Sequence, residues 1–336
     1  MKSILAFDIG GTNFRFAVVQ AGQLTDIRKE RSPSFVRFPN KSGKELASEL
    51  VGVICSIVEE VLRRYPSLEA VAIAVPGPVT RQGVVLSAPP LWGDLVAAFP
   101  LQTVIQSRTG LRVSVFNDLC GTAFLYSELE RFTAGVEFLT LITLSTGVGC
   151  KTVDLRQRRL LADSLGRGGE AGHVRVDFTD DALPCDCGER GHLSSYLSGR
   201  GIVRLIRFMM EKYPDEGQGF NLDPSDDEEA MVQAFAHAVH RRDTFAWRIL
   251  NFATAKLARI IQTVSGTLGV DRYVLVGGLA FALGEDICLS LNRHLVEIGI
   301  WGWDDASLLG LVRMGVPDDN YGLLGAAKYG LVNLER

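Results

Sequence analysis

The sequence predicts an α/β protein built from duplicated α/β units, and three observations carry that prediction. A buried strand at Ile4–Phe7 passes through a glycine turn into a second strand, Phe14–Val19. The same opening returns at Leu139–Leu144, where the strand meets Ser145-Thr146-Gly147-Val148-Gly149. Short apolar runs alternate with helical periodicities, as in folds that pack helices around sheets. With 336 residues, 47% of them hydrophobic, the chain exceeds what a single core usually supports, so two lobes are expected. The small lobe is placed at residues 1–116 with 318–336, and the large lobe at 117–317, carrying a loop at 163–201.

Between the two openings, Leu46, Leu50, Ile54, Ile57, Val58, Val61 and Leu62 recur at helical spacing and predict a core-facing helix over 44–64. Val71–Val75 reads as a buried strand broken by Pro76-Gly77-Pro78. Arg112–Phe116 is a further strand that ends in Asn117-Asp118, with a helix expected from about Thr122 to Arg131. Residues 163–201 are glycine-rich and aperiodic, the mark of a functional or metal-stapled loop. Residues 211–229, with Pro214, Asp215, Glu216, Gly217 and then Asp226 to Glu229, read as an exposed acidic loop. Phe245–Leu268 is a helix, Tyr273–Val276 a strand ending at Gly277-Gly278, and Leu323–Leu331 a closing helix.

A net charge of −4 argues against a general nucleic-acid or anionic-membrane surface. No apolar run approaches the ~20 residues that span a bilayer. The first strand leads straight into Asp8 with no basic-then-apolar signal before it, so a soluble, cytoplasmic protein is expected. Four of the six cysteines, Cys55, Cys120, Cys150 and Cys288, lie in apolar stretches and read as buried thiols. Cys185 and Cys187 stand one residue apart in a polar, glycine-containing loop, which in a reducing compartment points to metal before disulfide.

Asp8-Ile9-Gly10-Gly11-Thr12-Asn13 follows a strand directly. Glycines there let backbone N–H groups reach a phosphate and adopt positive φ; Thr12 and Asn13 add donors, and Asp8 can hold Mg²⁺ through water. A lone Gly-Gly would be an ordinary hairpin turn. Here Ser145, Thr146 and Gly147 repeat the chemistry and Gly277-Gly278 supplies a third pair, all at strand ends, which favours ATP as ligand. Asn117-Asp118 also closes a strand, where open α/β sheets place ligands. The carboxylate can take the proton of a hydroxyl attacking the γ-phosphorus while the amide holds neighbouring hydroxyls; taken alone, the pair is equally a turn or a helix cap. Glu170-Ala171-Gly172-His173 with Cys185, Cys187 and His192 offers two imidazoles and two thiolates, a closed set for structural Zn²⁺ with no open position for catalysis. An unligated loop with a satisfied histidine is the alternative. His237, His240 and His294 fall on helical segments and read as structural or solvated.

Taken together, Asp8–Asn13, Pro76-Gly77-Pro78, Asn117-Asp118, Ser145–Gly149, Glu170-x-x-His173, Cys185-x-Cys187-Gly188-x-x-Gly191 and Gly277-Gly278 resemble the ROK group of bacterial sugar kinases and related repressors, over residues 4 to 330. The resemblance implies the two-lobed, actin-like ATPase fold, with sugar and ATP in the cleft between lobes. It implies Asp118 as catalytic base, Gly77, Asn117, Glu170, His173 and Ser194 at the sugar, and His173 shared between sugar and zinc. It further implies a glucokinase-type transfer to the 6-OH of glucose or a related hexose, and a homodimer or homotetramer. An amino sugar, a glycoside or a cyclitol is the alternative substrate.

Three departures from the family pattern stand out. His192 replaces the usual third zinc cysteine, and Ser194 replaces a glutamate of the sugar site, which weakens the case for plain glucose. The second phosphate loop begins at Ser145 and runs into Cys150 and Lys151 where the family has glycines. A shift that lets Ser195 or a water restore the lost grip stays open. A family repressor would need a DNA-binding module ahead of the first loop, and only seven residues precede Asp8. An actin-like ATPase or chaperone would leave Asn117-Asp118 and Glu170-x-x-His173 without a task.

Overall fold

The computed structural model describes residues 3–93, 98–161, 164–217 and 227–335. Contacts divide the chain into two units: the first holds 1–129, 158–168 and 318–336, the second 130–157 and 169–317.

The first unit is built on a sheet of order β3-β2-β1-β4-β5. Its strands are β1 (Ser3–Ile9), β2 (Asn13–Gln20), β3 (Gln23–Arg31), β4 (Leu68–Val75) and β5 (Arg112–Asn117). β1–β2 and β2–β3 are antiparallel, β1–β4 and β4–β5 parallel. One face buries Leu5, Phe7, Ile9, Val71, Ile73 and Val75 against the helix Gly43–Arg64, whose start is fixed by a reciprocal capping box between Ser42 and Glu45.

The opposite face of β4 carries Ala70, Ala72 and Ala74, small enough for the helix Tyr321–Glu335 to close on the sheet. A Cβ at Gly330 of that helix would collide with the Cβ of Ala72. Gly330→Ala is therefore expected to lower unfolding free energy by about 1–3 kcal/mol, the usual cost of overpacking, read from denaturant midpoints.

The helix Asp118–Tyr126 packs on the same closing helix. Cβ atoms at Gly121 and Gly325 would meet each other's backbone, Phe124 lies 5.7 Å from Tyr329, and Tyr126 lies 5.6 Å from Tyr321. This close helix pair places 117–129 in the first unit, whereas the sequence reading ended that lobe at 116. The helix also starts four residues earlier than expected, because Asn117 caps it, and it stops at Tyr126; Glu130–Thr133 is a separate turn of helix.

The second unit repeats the plan. β6 (Phe138–Leu144) pairs antiparallel with β7 (Val148–Asp154) and parallel with β9 (Arg272–Val276), which pairs parallel with β10 (Val312–Met314). This matches β1, β2, β4 and β5 strand for strand; the two-residue β8 (Arg159–Leu160) falls in the first unit. The core lies between one face of this sheet and the long helices Thr244–Leu268 and Glu285–Ile298. Two more helices, Gly199–Lys212 and Glu228–His240, pack on it and flank the stretch 211–229 where a loop is expected. Of that stretch, Pro214–Gly217 is a helical turn and Asp227 caps the next helix, while residues 218–226, Asp226 among them, lie outside the described residues. His237, His240 and His294 do lie on helices. Among the described residues no helix is long and apolar enough to cross a membrane.

Candidate active-site residues and a metal-ligand cluster

In the first unit Asp8 is the penultimate residue of β1, and Gly10-Gly11-Thr12 turns the chain into β2, which opens with Asn13. The turn is closed by Gly10 N–H donating to the Asn13 carbonyl at 3.0 Å. Two fully buried serines hold it from below: Ser32 Oγ donates to the Gly10 carbonyl at 2.6 Å and Ser34 Oγ to that of Gly11. The sequence reading missed both. Positive φ was expected at Gly10 and Gly11, yet neither has it. Glycine is needed at position 11 because a Cβ would stand 2.9 Å from Pro90. Asp8 is packed so closely by the closing helix that a Cβ at Gly322 would strike its carboxylate. Burial pushes the Asp8 carboxyl above its ordinary range, and Arg15 partly offsets this.

Asn117 ends β5 and Asp118 opens the following helix. Asn117 Oδ1 accepts from Leu119 N–H at 3.1 Å, and its Nδ2 donates to the Gly77 carbonyl at 3.0 Å. The helix-cap reading of Asn117 is thus correct, and one amide hydrogen remains for another partner. Gly77 sits at φ +88°, where a Cβ would run into the Ser87 carbonyl. Asp118 Oδ1 accepts from Leu119 N–H at 2.7 Å, in the first helical turn, where the helix's partial positive charge favours a carboxylate.

In the second unit Ser145-Thr146-Gly147 forms the β6–β7 turn, with Ser145 N–H donating to the Gly147 carbonyl at 2.9 Å and Gly199 N–H to that of Ser145 at 2.7 Å. Thr146 is exposed. Gly277 has φ +100° and lies where a Cβ would be 2.5 Å from the Leu144 carbonyl, so the two glycine turns adjoin at the ends of β6 and β9. Gly278 opens the next helix, and among the described residues, chain neighbours and the helix's own backbone aside, nothing lies within 4 Å of where Gly147 or Gly278 would carry a Cβ.

Glu170 is exposed just before the 3-10 turn Ala171–His173. A Cβ at Gly172 would collide with Ser194 Oγ, so the Ser194 hydroxyl faces the backbone midway between Glu170 and His173. Ser195, the next residue, is fully buried.

The structure brings His173, Cys185, Cys187 and His192 together. Their ligand atoms lie within 4.8 Å of one another, against the spacing of about 3.3–3.8 Å that a tetrahedral ion bound at roughly 2.0–2.3 Å imposes. Cys187 Sγ is 3.2 Å from His192 Nδ1, and the two imidazole rings are perpendicular at 5.5 Å. Gly188 at φ +92° lets the chain double back so that Cys185 N–H donates to the Glu189 carbonyl at 2.7 Å. Two nitrogens and two sulfurs in a closed set fit zinc.

Beneath this loop lies Asp177, which the sequence reading passed over. Its buried carboxylate accepts from Thr179, Tyr196 and Lys256. Burial opposes its ionisation, but Lys256, Thr179 and Tyr196 outweigh that and hold the carboxyl well below the usual carboxylate range. Burial, then Asp177, pushes the Tyr196 phenol up.

Residues 4–298 match the model of the ROK family, and the chain belongs to that family. It is 32% identical to a C(7)-cyclitol 7-kinase of Streptomyces hygroscopicus subsp. jinggangensis, over 98% of this chain and 94% of the relative. It is 30% identical to a 2-epi-5-epi-valiolone 7-kinase of Actinoplanes sp., over 95% and 90%. The crystal structure of a ROK family glucokinase from Streptomyces griseus, in complex with glucose and AMPPNP, is 25% identical, with a TM-score of 0.69, covering 98% of this chain and 99% of that one. The α/β fold is the actin-like ATPase fold that the sequence resemblance implied.

Proposed function

We propose that the protein is a kinase that moves the γ-phosphoryl group of ATP to a primary hydroxyl of a small polyol, and that the polyol is a seven-carbon cyclitol. The observation that carries the kinase reading is the pair at the end of β5: Asp118 stands in a helix's first turn while the Asn117 amide is locked between that helix and the Gly77 carbonyl. A carboxylate fixed this way serves as general base. It takes the proton of the acceptor hydroxyl as the new O–P bond forms and the bond to the β-phosphate's bridging oxygen breaks, releasing ADP.

In this reading Gly10, Gly11, Thr12 and Asn13, with Ser145, Thr146, Gly147, Gly277 and Gly278, hold the phosphates. The open space at Gly147 and Gly278 supports this, since it leaves the backbone accessible to a ligand. Asp8 holds Mg²⁺ through water, which would supply counter-charge to the phosphates. Gly77, the remaining N–H of Asn117, Glu170, His173 and Ser194 serve the acceptor's hydroxyls. Zinc at His173, Cys185, Cys187 and His192 would stiffen the loop without entering the chemistry. A cytoplasmic homodimer or homotetramer goes with the family resemblance.

Two considerations favour a cyclitol over glucose. The relatives above at 30–32% identity, matched over nine-tenths of their length, are kinases of seven-carbon cyclitols. The seventh carbon of such a ring is exocyclic, so its hydroxyl is the counterpart of a hexose 6-OH and calls for the same base. Ser194 is neutral and short where the glucokinase pattern has a glutamate, which leaves the hydroxyls of glucose near that residue without a carboxylate partner.

The test is ADP release with glucose, glucosamine, a 1-O-methyl glucoside and a valiolone-type cyclitol, for wild type and Ser194→Glu. The cyclitol should exceed glucose in kcat/KM by about tenfold or more, the scale of one unsatisfied buried group, and Ser194→Glu should narrow the ratio. Wild type that prefers glucose and gains nothing from the glutamate overturns the cyclitol assignment.

A further inference from the structure

We propose that Asp177, Lys256 and Tyr196 form a charged strut that sets the metal-ligand loop from beneath, making Lys256 a positioning residue for a site it does not touch. The proposal rests on the reading that His173, Cys185, Cys187 and His192 hold a metal.

The geometry ties every segment that feeds the cluster to one carboxylate. Asp177 lies four residues after His173, and its N–H donates to the Gly191 carbonyl, next to His192, at 3.1 Å. Tyr196, four residues after His192, donates its hydroxyl to Asp177 Oδ2 at 2.8 Å and accepts from Leu183 N–H, two residues before Cys185, at 2.9 Å. Lys256 Nζ reaches the same Oδ2 at 2.9 Å from the long helix Thr244–Leu268, and lies over the rings of Tyr196 at 4.4 Å and Phe252 at 4.5 Å. The side chains of Asp177 and Lys256 are only 8% and 14% exposed. Gly191 fits so tightly that a Cβ there would strike the Asp177 carbonyl.

Such a pair differs from a surface ion pair. Taking away the ammonium leaves a largely buried carboxylate without its ion-pair partner, and that cost falls on the segments the carboxylate holds together. The segments free to move are the ones that carry the metal ligands and Glu170, because the helix beneath is packed into the core. Outer groups of this kind commonly change metal affinity by about 10–100-fold.

Lys256→Met, Lys256→Arg and Thr254→Val test the idea in the full chain. Thr254 sits two residues away on the same helix, fully buried and bonded to Ser290 at 2.6 Å, so its loss weakens the fold without touching the loop. Zinc release to a chromophoric chelator should be at least tenfold faster in Lys256→Met, partly restored in Lys256→Arg and unchanged in Thr254→Val. The KM for the polyol should rise in the same order while kcat and the KM for ATP stay within about threefold. Equal zinc release in Lys256→Met and wild type, or the same acceleration in Thr254→Val, overturns the strut. Wild type that binds no zinc overturns the metal reading and the strut with it, whereas zinc release that follows the expected order without any kinase activity contradicts only the proposed reaction.

Discussion

Asp118→Asn is expected to fold, to bind ATP, and to turn over about 10²–10⁴-fold more slowly than wild type, the range for loss of a positioned base. Folding should survive because the asparagine oxygen still accepts from Leu119 N–H, the bond Asp118 Oδ1 makes at 2.7 Å. The helix keeps its Asn117 cap, and its packing on the closing helix through Gly121 is untouched. What disappears is the ability to take a proton. Circular dichroism, calorimetric ATP binding and kcat measured on one preparation separate these effects. A variant that retains more than a tenth of wild-type turnover removes Asp118 from the chemistry.

Cys185→Ser should produce the other large effect. Cys185 is buried while the other three ligands are not, so its thiolate is the one water can least replace. Metal affinity should fall by more than the roughly 100-fold typical of outer partners, and elemental analysis should find the purified variant free of zinc. Amide exchange should rise between 173 and 193 and stay unchanged in the helix Thr244–Leu268, since a metal site of this kind contributes its folding energy locally. The KM for the polyol should rise because Glu170 and His173 lose their support. A variant with unaltered zinc content places the metal elsewhere.

The parts legible in the sequence were those where chemistry and local geometry coincide. Ile4–Phe7 before Gly10-Gly11 and Leu139–Leu144 before Ser145–Gly149 announce strand–turn–strand openings, and the structure extends the likeness to four matching strands in each unit. β3 escaped notice because Gln23–Arg31 is an exposed edge strand, mostly polar and charged, with no apolar alternation to detect. The helix Gly199–Lys212 carries Ile202, Val203, Leu205, Ile206 and Met209 at helical spacing, but its glycine-flanked start merges with the loop before it. The start of the helix at Asp118 was hidden for another reason: Asn117 is the last residue of a strand and the cap of a helix at once.

The four residues of the His/Cys cluster could be grouped from spacing, because three of them lie within eight positions, and the structure brings the four together. Positive φ is found at Gly77 and Gly277, not at Gly10 or Gly11, since steric approach and backbone conformation both select glycine and sequence does not tell them apart. Ser32 and Ser34 under the first turn are more than twenty residues from their acceptors, and Lys256 is 79 residues from Asp177. Partners that far apart leave no local signal.

The most direct test of the central claim is whether ATP turnover depends on an acceptor. Wild type with Mg²⁺ and ATP should release ADP at background rate, rise about 100-fold or more when a polyol with a free primary hydroxyl is added, and convert that hydroxyl to a phosphate monoester seen by phosphorus NMR. ATP hydrolysis that proceeds equally well without any polyol, with inorganic phosphate as its only product, would contradict it.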